Sequence, residues 1–133
     1  MEDLVRDFLR QKRFAIIGSF RNKEKFAYRI LVDLMKNGHE VFPVNPRLGE
    51  VEGRACYKTV SDIPYSVDVA NIVTPPLVTE NILKECLHKG IKRVWLQPGA
   101  ESQAAIKFCY DNDMKVVYGI CVMLESLKEE EIL

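Results

Sequence analysis

Short apolar runs alternate along the chain with segments in which apolar residues recur every three or four positions. The apolar runs predict strands, and the longer period predicts amphipathic helices. The predicted strands cover residues 13–18, 40–44, 67–73, 92–96 and 115–118. The predicted helices cover residues 2–11, 24–37, 77–89 and 101–112. Strands that alternate with helices form parallel sheets with right-handed crossovers. The pattern predicts an α/β fold: one domain, 1–133, with a three-layer open parallel sheet of about five strands and helices on both faces.

The segments outside this alternation are less regular. Residues 1–12 are expected to form a leading helix, and residues 45–66 are mixed, with a short strand at 55–57 and a turn or small helix through 61–64. After Gly119 the pattern predicts a loop and a short helix, and we expect 124–133 to be an acidic, solvated tail.

The amino-acid composition argues against several classes of function. The 133 residues fit one domain, and an apolar content of 47% is too high for a disordered chain. Nineteen basic and nineteen acidic side chains cancel, which argues against a nucleic-acid or membrane-surface binder. The apolar runs are too short to cross a bilayer, and the first residues lack the apolar run of a signal peptide. We therefore expect a cytoplasmic protein that binds a small molecule, with a protein partner or a homo-oligomer left open.

Ligands of open parallel sheets bind at the carboxyl ends of the strands. Five loops lie there, and each contains glycine, proline, small polar residues or a cation. The loops are residues 18–23, 45–48, 74–76, 97–100 and 119–123. Together they form the predicted binding region.

The first two loops favour a phosphorylated ribose. A dinucleotide site of the usual type has G-x-G-x-x-G after the first strand and an acid after the second. This chain has Gly18 alone and places Arg47 where the acid would stand. A guanidinium can hold a ribose phosphate with two hydrogen bonds. The alternative for Arg47 is an exposed loop arginine.

A phosphate group could also lie at the start of the first crossover helix, where backbone N–H groups are free. Gly18 would allow close approach and Ser19 would donate a hydroxyl, while Arg21, Lys23 and Lys25 add positive charge. The alternative is a turn glycine followed by a capping residue.

The remaining loops are less specific. The Thr74 hydroxyl could reach a phosphate or an amide, or it could cap the following helix, which would bury Val78 and Ile82. Gln97, followed by Pro98 and Gly99, offers an amide to a pantetheine-like chain.

No nucleophile–base–orienter set, paired-carboxylate site or metal cluster is visible, so we predict no catalytic and no metal-binding residue. The four cysteines form no CxxC pair. Cys86 and Cys109 are expected to be free buried thiols, whereas Cys56 and Cys121 lie in or beside loops.

The order of these motifs resembles that of a known family. The segments that carry the resemblance are 16–30 (IIGSFRNKEKFAYRI), 40–64 (EVFPVNPRLGEVEGRACYKTVSDIP), 67–76 (VDVANIVTPP), 94–102 (VWLQPGAES) and 119–123 (GICVM). Over about 13–123 the chain resembles the small CoA-binding proteins with a Rossmann-like fold. It is similar to the N-terminal CoA-binding domain of the succinyl-CoA synthetase alpha subunit and of ADP-forming acyl-CoA synthetases.

The resemblance implies CoA or acyl-CoA as the ligand. It assigns the CoA site to residues in four of the loops. These are Gly18, Ser19, Phe20 and Arg21, then Asn45, Pro46 and Arg47, then Thr74, Pro75 and Pro76, then Gln97, Pro98 and Gly99. Ile120 and Cys121 stand where the synthetases carry an Asn-Cys pair. The phosphorylated histidine of the synthetases belongs to a domain that this sequence lacks, so the resemblance does not imply synthetase activity.

Three hypotheses follow. The first is a CoA-binding module without catalysis of its own. The second is an NADP-linked oxidoreductase, which would also explain Arg47 but not the missing glycines. The third is thiol chemistry, in which Cys121 forms a mixed disulfide with CoA.

Overall fold

The chain folds around a five-stranded sheet. The structure is a computed structural model that describes the backbone of residues 1–132 and the side chains of residues 1–128. The strands are β1 (Arg13–Ile17), β2 (Glu40–Val44), β3 (Glu50–Val51), β4 (Arg54–Ala55), β5 (Val69–Ile72), β6 (Arg93–Leu96) and β7 (Lys115–Tyr118). The helices are α1 (Glu2–Leu9), α2 (Phe26–Lys36), α3 (Pro76–Lys89), α4 (Gln103–Asp111) and α5 (Val122–Ile132), with a 3-10 turn at Val60–Asp62.

The main sheet has the order β2-β1-β5-β6-β7, and every neighbouring pair in it is parallel. Its two faces carry separate apolar clusters. One contains Phe14, Ile16 and Trp95 beneath α1, α2 and α5, and the other contains Leu83 and Val94 beneath α3 and α4. The predicted three-layer α/β sheet is confirmed.

Local signals set the helix ends. Pro76 occupies the first position of α3, where its missing N–H costs nothing, and Gly90 ends that helix in the left-handed region at φ +88°. Ser102 caps α4 by accepting a hydrogen bond from the Ala105 N–H at 3.0 Å. Helix α2 begins at Phe26, later than predicted, because Asn22 forms a turn that uses the N–H groups of Glu24 and Lys25.

The segment 124–133, expected to be an acidic tail, is helical through Ile132. Residues through Ile132 belong to α5, whose Val122 and Ser126 are buried one turn apart and whose helix contacts α1 and α2. Glutamate is a good helix former, so an acidic run can continue a docked helix. The acidic run 129–131 lies within α5, and its side chains lie outside the described residues.

The segment 45–60 also differs from its prediction. It forms the small antiparallel hairpin β3–β4 and then returns to β2, where the Tyr57 N–H donates to the Pro43 carbonyl at 3.0 Å. This return path brings residues 58–60 to the carboxyl end of the sheet, beside α3.

Candidate functional site

A crevice opens between the carboxyl ends of β1 and β5. These strands are neighbours in the sheet, but the chain leaves β1 into α2 on one face and β5 into α3 on the other. Strand order reverses at this point, and such points are where open α/β sheets bind ligands. The crevice holds a cleft of about 330 Å³. We call it the apolar cleft, and its lining is Ile17, Gly18, Ser19, Val44, Asn45, Pro46, Lys58, Thr59, Val60, Val73, Thr74, Pro75, Val78, Ile82 and Glu85.

A second pocket adjoins the apolar cleft at the outer side of β2. It measures about 320 Å³ and shares three lining residues with the cleft. We call it the cationic pocket, and its lining is Ser19, Arg21, Asn45, Pro46, Arg47 and Leu48. The guanidinium groups of Arg21 and Arg47 make no hydrogen bond or ion pair within the part of the chain that the structure describes. Two arginines thus face one pocket with their donors available to an anion.

The start of α2 adds to this positive character. Its N-cap residue, Lys25, makes no side-chain capping bond, and the first turn contains no acidic residue. Arg21 and Lys23 precede it in an exposed loop. Cations at a helix N-terminus interact unfavourably with the positive end of the helix dipole. An anion bound there would be stabilised by the cations and by the dipole. The arrangement therefore suits a bound phosphate group.

Asn45 joins the two loops that separate the cleft from the pocket. Its Nδ2 donates to the Gly18 carbonyl at 2.8 Å, and its Oδ1 accepts from the Arg47 N–H at 2.9 Å. Its backbone N–H donates to the Tyr57 carbonyl at 2.9 Å. The side chain that sequence reasoning predicted as a ligand contact therefore also sets the path of the loop that carries Arg47.

Gly18 is required by packing. A Cβ built on it would lie 2.8 Å from the Ala27 Cβ and 2.9 Å from the Val73 carbonyl oxygen. These contacts are too short for a side chain, so only glycine lets α2 approach the ends of β1 and β5 this closely.

The proline loop forms one wall of the cleft. Pro75 is the N-cap of α3, and Thr74 does not cap the helix. The Thr74 Oγ1 instead lies 2.8 Å from the Oγ1 of Thr79, a fully buried residue. Thr74 and Pro75 line the apolar cleft, whereas Pro76 is exposed and lies outside both linings.

The structure does not bring the Gln97 side chain to either pocket. Gln97 is fully buried, and its Nε2 donates to the Asn71 Oδ1 at 2.5 Å while its Oε1 accepts from the Val122 N–H at 3.2 Å. The signal for this pairing was Asn71 itself, since a polar side chain in the apolar run 67–73 needs a buried partner on a neighbouring strand.

Five other predicted site residues also lie outside both linings. One of them is Lys25, the half-buried N-cap residue of α2. Phe20 is 4% exposed and packs in the cluster beneath α2, as a large apolar side chain in a polar loop tends to do. Pro98 and Gly99 are exposed in the turn after β6. Cys121 is half-buried just before α5. Of the residues predicted to bind the ligand, the two pockets bring together Gly18, Ser19, Arg21, Asn45, Pro46, Arg47, Thr74 and Pro75.

Sequence reasoning missed the far wall of the apolar cleft. Val78, expected inside, is 46% exposed and shares one face of α3 with Ile82 and Glu85, at i, i+4 and i+7. Residues 58–60 lie opposite. The sequence feature that could have indicated this wall is an acidic residue, Glu85, on the same face of α3 as Val78 and Ile82.

The thiols lie outside the two linings, although the Cys56 Sγ donates to the Asn45 carbonyl at 3.7 Å. All four cysteines are free, and burial raises the pKa of the Cys86 thiol to about 12 and that of Cys109 to about 11. Among the described residues, no three His, Cys, Asp or Glu side chains are grouped as metal ligands. No helix within the described residues is long and apolar enough to span a bilayer.

Comparisons with known proteins identify the family of the chain. Residues 12–126 match the family model described as a CoA binding domain. The ADP-forming acetate–CoA ligase of Methanocaldococcus jannaschii is 38% identical over 81 residues, which are 61% of this chain but 12% of that protein. A hypothetical protein from Pyrococcus horikoshii OT3 is 31% identical over 96% of this chain and 91% of its own, with a TM-score of 0.92. The dinucleotide-forming acetyl-coenzyme A synthetase 1 of Ca. Korarchaeum cryptofilum, 25% identical, matches with a TM-score of 0.74 over 85% of this chain and 27% of its own.

Proposed function

Since the chain belongs to the family of CoA binding domains, we propose that it holds CoA or an acyl-CoA at the carboxyl ends of β1, β2 and β5. The observation that carries the proposal is the junction of an apolar cleft with a cationic pocket through Ser19, Asn45 and Pro46. The adenosine end of CoA has the same two parts: an apolar ring and a sugar that carries an additional phosphate.

The two pockets suggest how this end is oriented. The ribose phosphate lies against Arg47 and Arg21, because both arginines line the cationic pocket. The adenine enters the apolar cleft, which begins beside Pro46. The diphosphate lies near Ser19, toward the start of α2, where N–H groups and the helix dipole favour negative charge.

The proposal assigns no reaction to this chain. The ligases it resembles are far longer, since the chain spans 12% of the Methanocaldococcus protein and 19% of an alpha subunit from Pyrococcus furiosus. Their activity is not extended to this chain, for which we propose a role as a CoA carrier, a sensor or a partner subunit.

Calorimetric titration with CoA and with dephospho-CoA tests the proposal. The two ligands differ in the ribose phosphate, so we expect CoA to bind about ten to a hundred times more tightly, the range for a hydrogen bond to a charged group. Arg47→Ala should remove most of this difference. Arg54→Ala is the matched control, because Arg54 is an exposed arginine of the same hairpin segment that lines neither pocket. Equal affinity of the natural protein for both ligands would contradict the assignment of Arg47.

The same titration separates the two alternatives. Tight binding of NADPH without binding of CoA would favour the oxidoreductase hypothesis, since Arg47 also suits a 2′-phosphate. A mass increase of one CoA that reductant reverses would favour the thiol hypothesis. Cys121 lines neither pocket, which gives that hypothesis no geometric support.

A further inference from the structure

One acidic side chain interrupts the apolar wall of the cleft. Glu85 lies on α3, one and two turns beyond Ile82 and Val78, and it is half-buried. The other α3 residues in the lining are both apolar. The cleft therefore presents a carboxylate at the end of an apolar stripe.

This carboxylate has no partner among the described residues. No hydrogen bond or ion pair involves Glu85, and none joins it to Lys58, although both side chains line the same cleft. Its oxygens are not among the fully buried atoms that lack a partner, so water solvates them in the unliganded protein. A ligand that displaces this water must replace it with a hydrogen-bond donor. A ligand in the cleft can supply that donor.

Resting on the proposed function, we infer that Glu85 accepts a hydrogen bond from the 6-amino group of the bound adenine and thereby selects a 6-aminopurine. Adenine presents an N–H₂ donor beside ring-nitrogen acceptors on the same edge. An ionised carboxylate can only accept, so it complements the amino group. The hydroxyl of Thr59, which lines the cleft opposite α3, supplies a donor for a ring nitrogen.

The same arrangement disfavours a 6-oxopurine. Hypoxanthine and guanine place an acceptor oxygen where adenine has its amino group. That oxygen would face the Glu85 carboxylate, so two acceptors would be brought together without a proton between them. Glu85 is in this sense a specificity-determining residue of the CoA site.

The test compares ADP with inosine 5′-diphosphate, which differ only at position 6 of the purine. Each nucleotide is titrated as a competitor of bound CoA. We expect the natural protein to bind ADP at least about tenfold more tightly. Glu85→Gln should reduce or invert this ratio, because a glutamine amide can donate to a 6-oxo group. Glu85→Ala should bring the ratio close to one.

Glu80→Gln is the matched control, because Glu80 is a carboxylate on the same helix that accepts from Ser102 and lines neither pocket. Its ratio of ADP to inosine-diphosphate affinity should equal that of the natural protein. If CoA binds and the ratio is near one in the natural protein, or is unchanged in Glu85→Gln, the inference is overturned and the CoA proposal stands. If CoA does not bind at all, the proposed function fails and the inference fails with it.

Discussion

The side-chain amide of Asn45 donates a hydrogen bond to the backbone carbonyl of Gly18, with a distance of 2.8 Å between the two atoms. This bond ties the loop after β2 to the loop after β1, the two loops that separate the apolar cleft from the cationic pocket. The same side chain accepts from the Arg47 N–H and so fixes the turn that presents that arginine. Loop geometry and predicted ligand binding therefore depend on one residue.

Asn45→Ala should weaken CoA binding without unfolding the protein. The variant loses two side-chain hydrogen bonds at a half-exposed position, which we expect to lower the free energy of unfolding by about 0.5–1.5 kcal/mol. The loss of CoA affinity should exceed this, since Arg47 is no longer held toward the pocket. Calorimetry and denaturant unfolding measure the two effects. Asn81→Ala, at an exposed asparagine of α3, should leave CoA affinity unchanged and should not lower the free energy of unfolding, because alanine is the better helix former.

Gly18→Ala should destabilise the fold through steric contact. The new methyl group would lie within 3 Å of the Ala27 Cβ and the Val73 carbonyl, so α2 or the end of β5 must shift. We expect a loss of about 1–3 kcal/mol, the usual cost of overpacking. Denaturant unfolding measures it. Gly49→Ala is the control, since a Cβ there meets nothing within 4 Å; equal stabilities of the two variants would contradict the steric argument.

Gln97→Leu distinguishes a core role from a ligand contact. The substitution leaves the Asn71 Oδ1 and the Val122 N–H without their partner in a buried region, so we expect the free energy of unfolding to fall by about 1–3 kcal/mol. Asn71→Leu combined with it should cost less than the sum of the two single substitutions, because the pair forms one network. Weaker CoA binding at unchanged stability would restore the role that sequence analysis gave to Gln97.

The folded protein should lose one source of stability in acid. A hydrogen bond from Arg93 holds the pKa of Asp7 below its usual value, and the charges of Arg93 and Lys115 act in the same direction. A lowered folded-state pKa stabilises the protein above the unfolded-state value of about 4, and this contribution is lost as pH falls through the folded-state value. The melting temperature of Asp7→Asn should thus lie below that of the natural protein at neutral pH and converge with it in acid. A constant difference at every pH would contradict this linkage.

The thiols should differ in reactivity. Burial raises the pKa values of Cys86 and Cys109 to about 12 and about 11, so neither forms an appreciable thiolate at pH 8. Cys121 is half-buried and accessible in part. Timed alkylation with iodoacetamide and peptide mass spectrometry should show Cys121 modified first. Faster labelling of Cys86 in the folded protein would contradict its burial.

Sequence patterns predicted the sheet and half of the site for identifiable reasons. All five main strands were predicted because each is a short apolar run bounded by turn residues. The short strand predicted at 55–57 overlaps β4 by one residue, but its pairing with β3 was missed because strands of two residues leave little periodicity to read. Gly18 and Thr74 line one cleft and Arg47 lines the adjoining pocket because parallel strands place their carboxyl ends together.

Residue type alone could not predict the direction in which a side chain points. Gln97 and Asn45 are both amides that follow a strand, yet one turns into the core toward Asn71 and the other bridges two surface loops. Glu85 was overlooked because a lone acid on a helix is usually solvated. Its place in the cleft depends on the return path of residues 58–60, which local periodicity does not encode.

The pockets draw their walls from segments around residues 18, 45 and 74, which become neighbours only when β1 is paired on both sides. A nascent or truncated chain that lacks β5 has no crevice for a nucleotide to occupy. Any molecule that fits between these walls binds the finished domain and not its unfolded form, and mass action then shifts the folding equilibrium in favour of the native state. The lifetime of the folded domain should therefore increase as the fraction of ligand-bound protein increases.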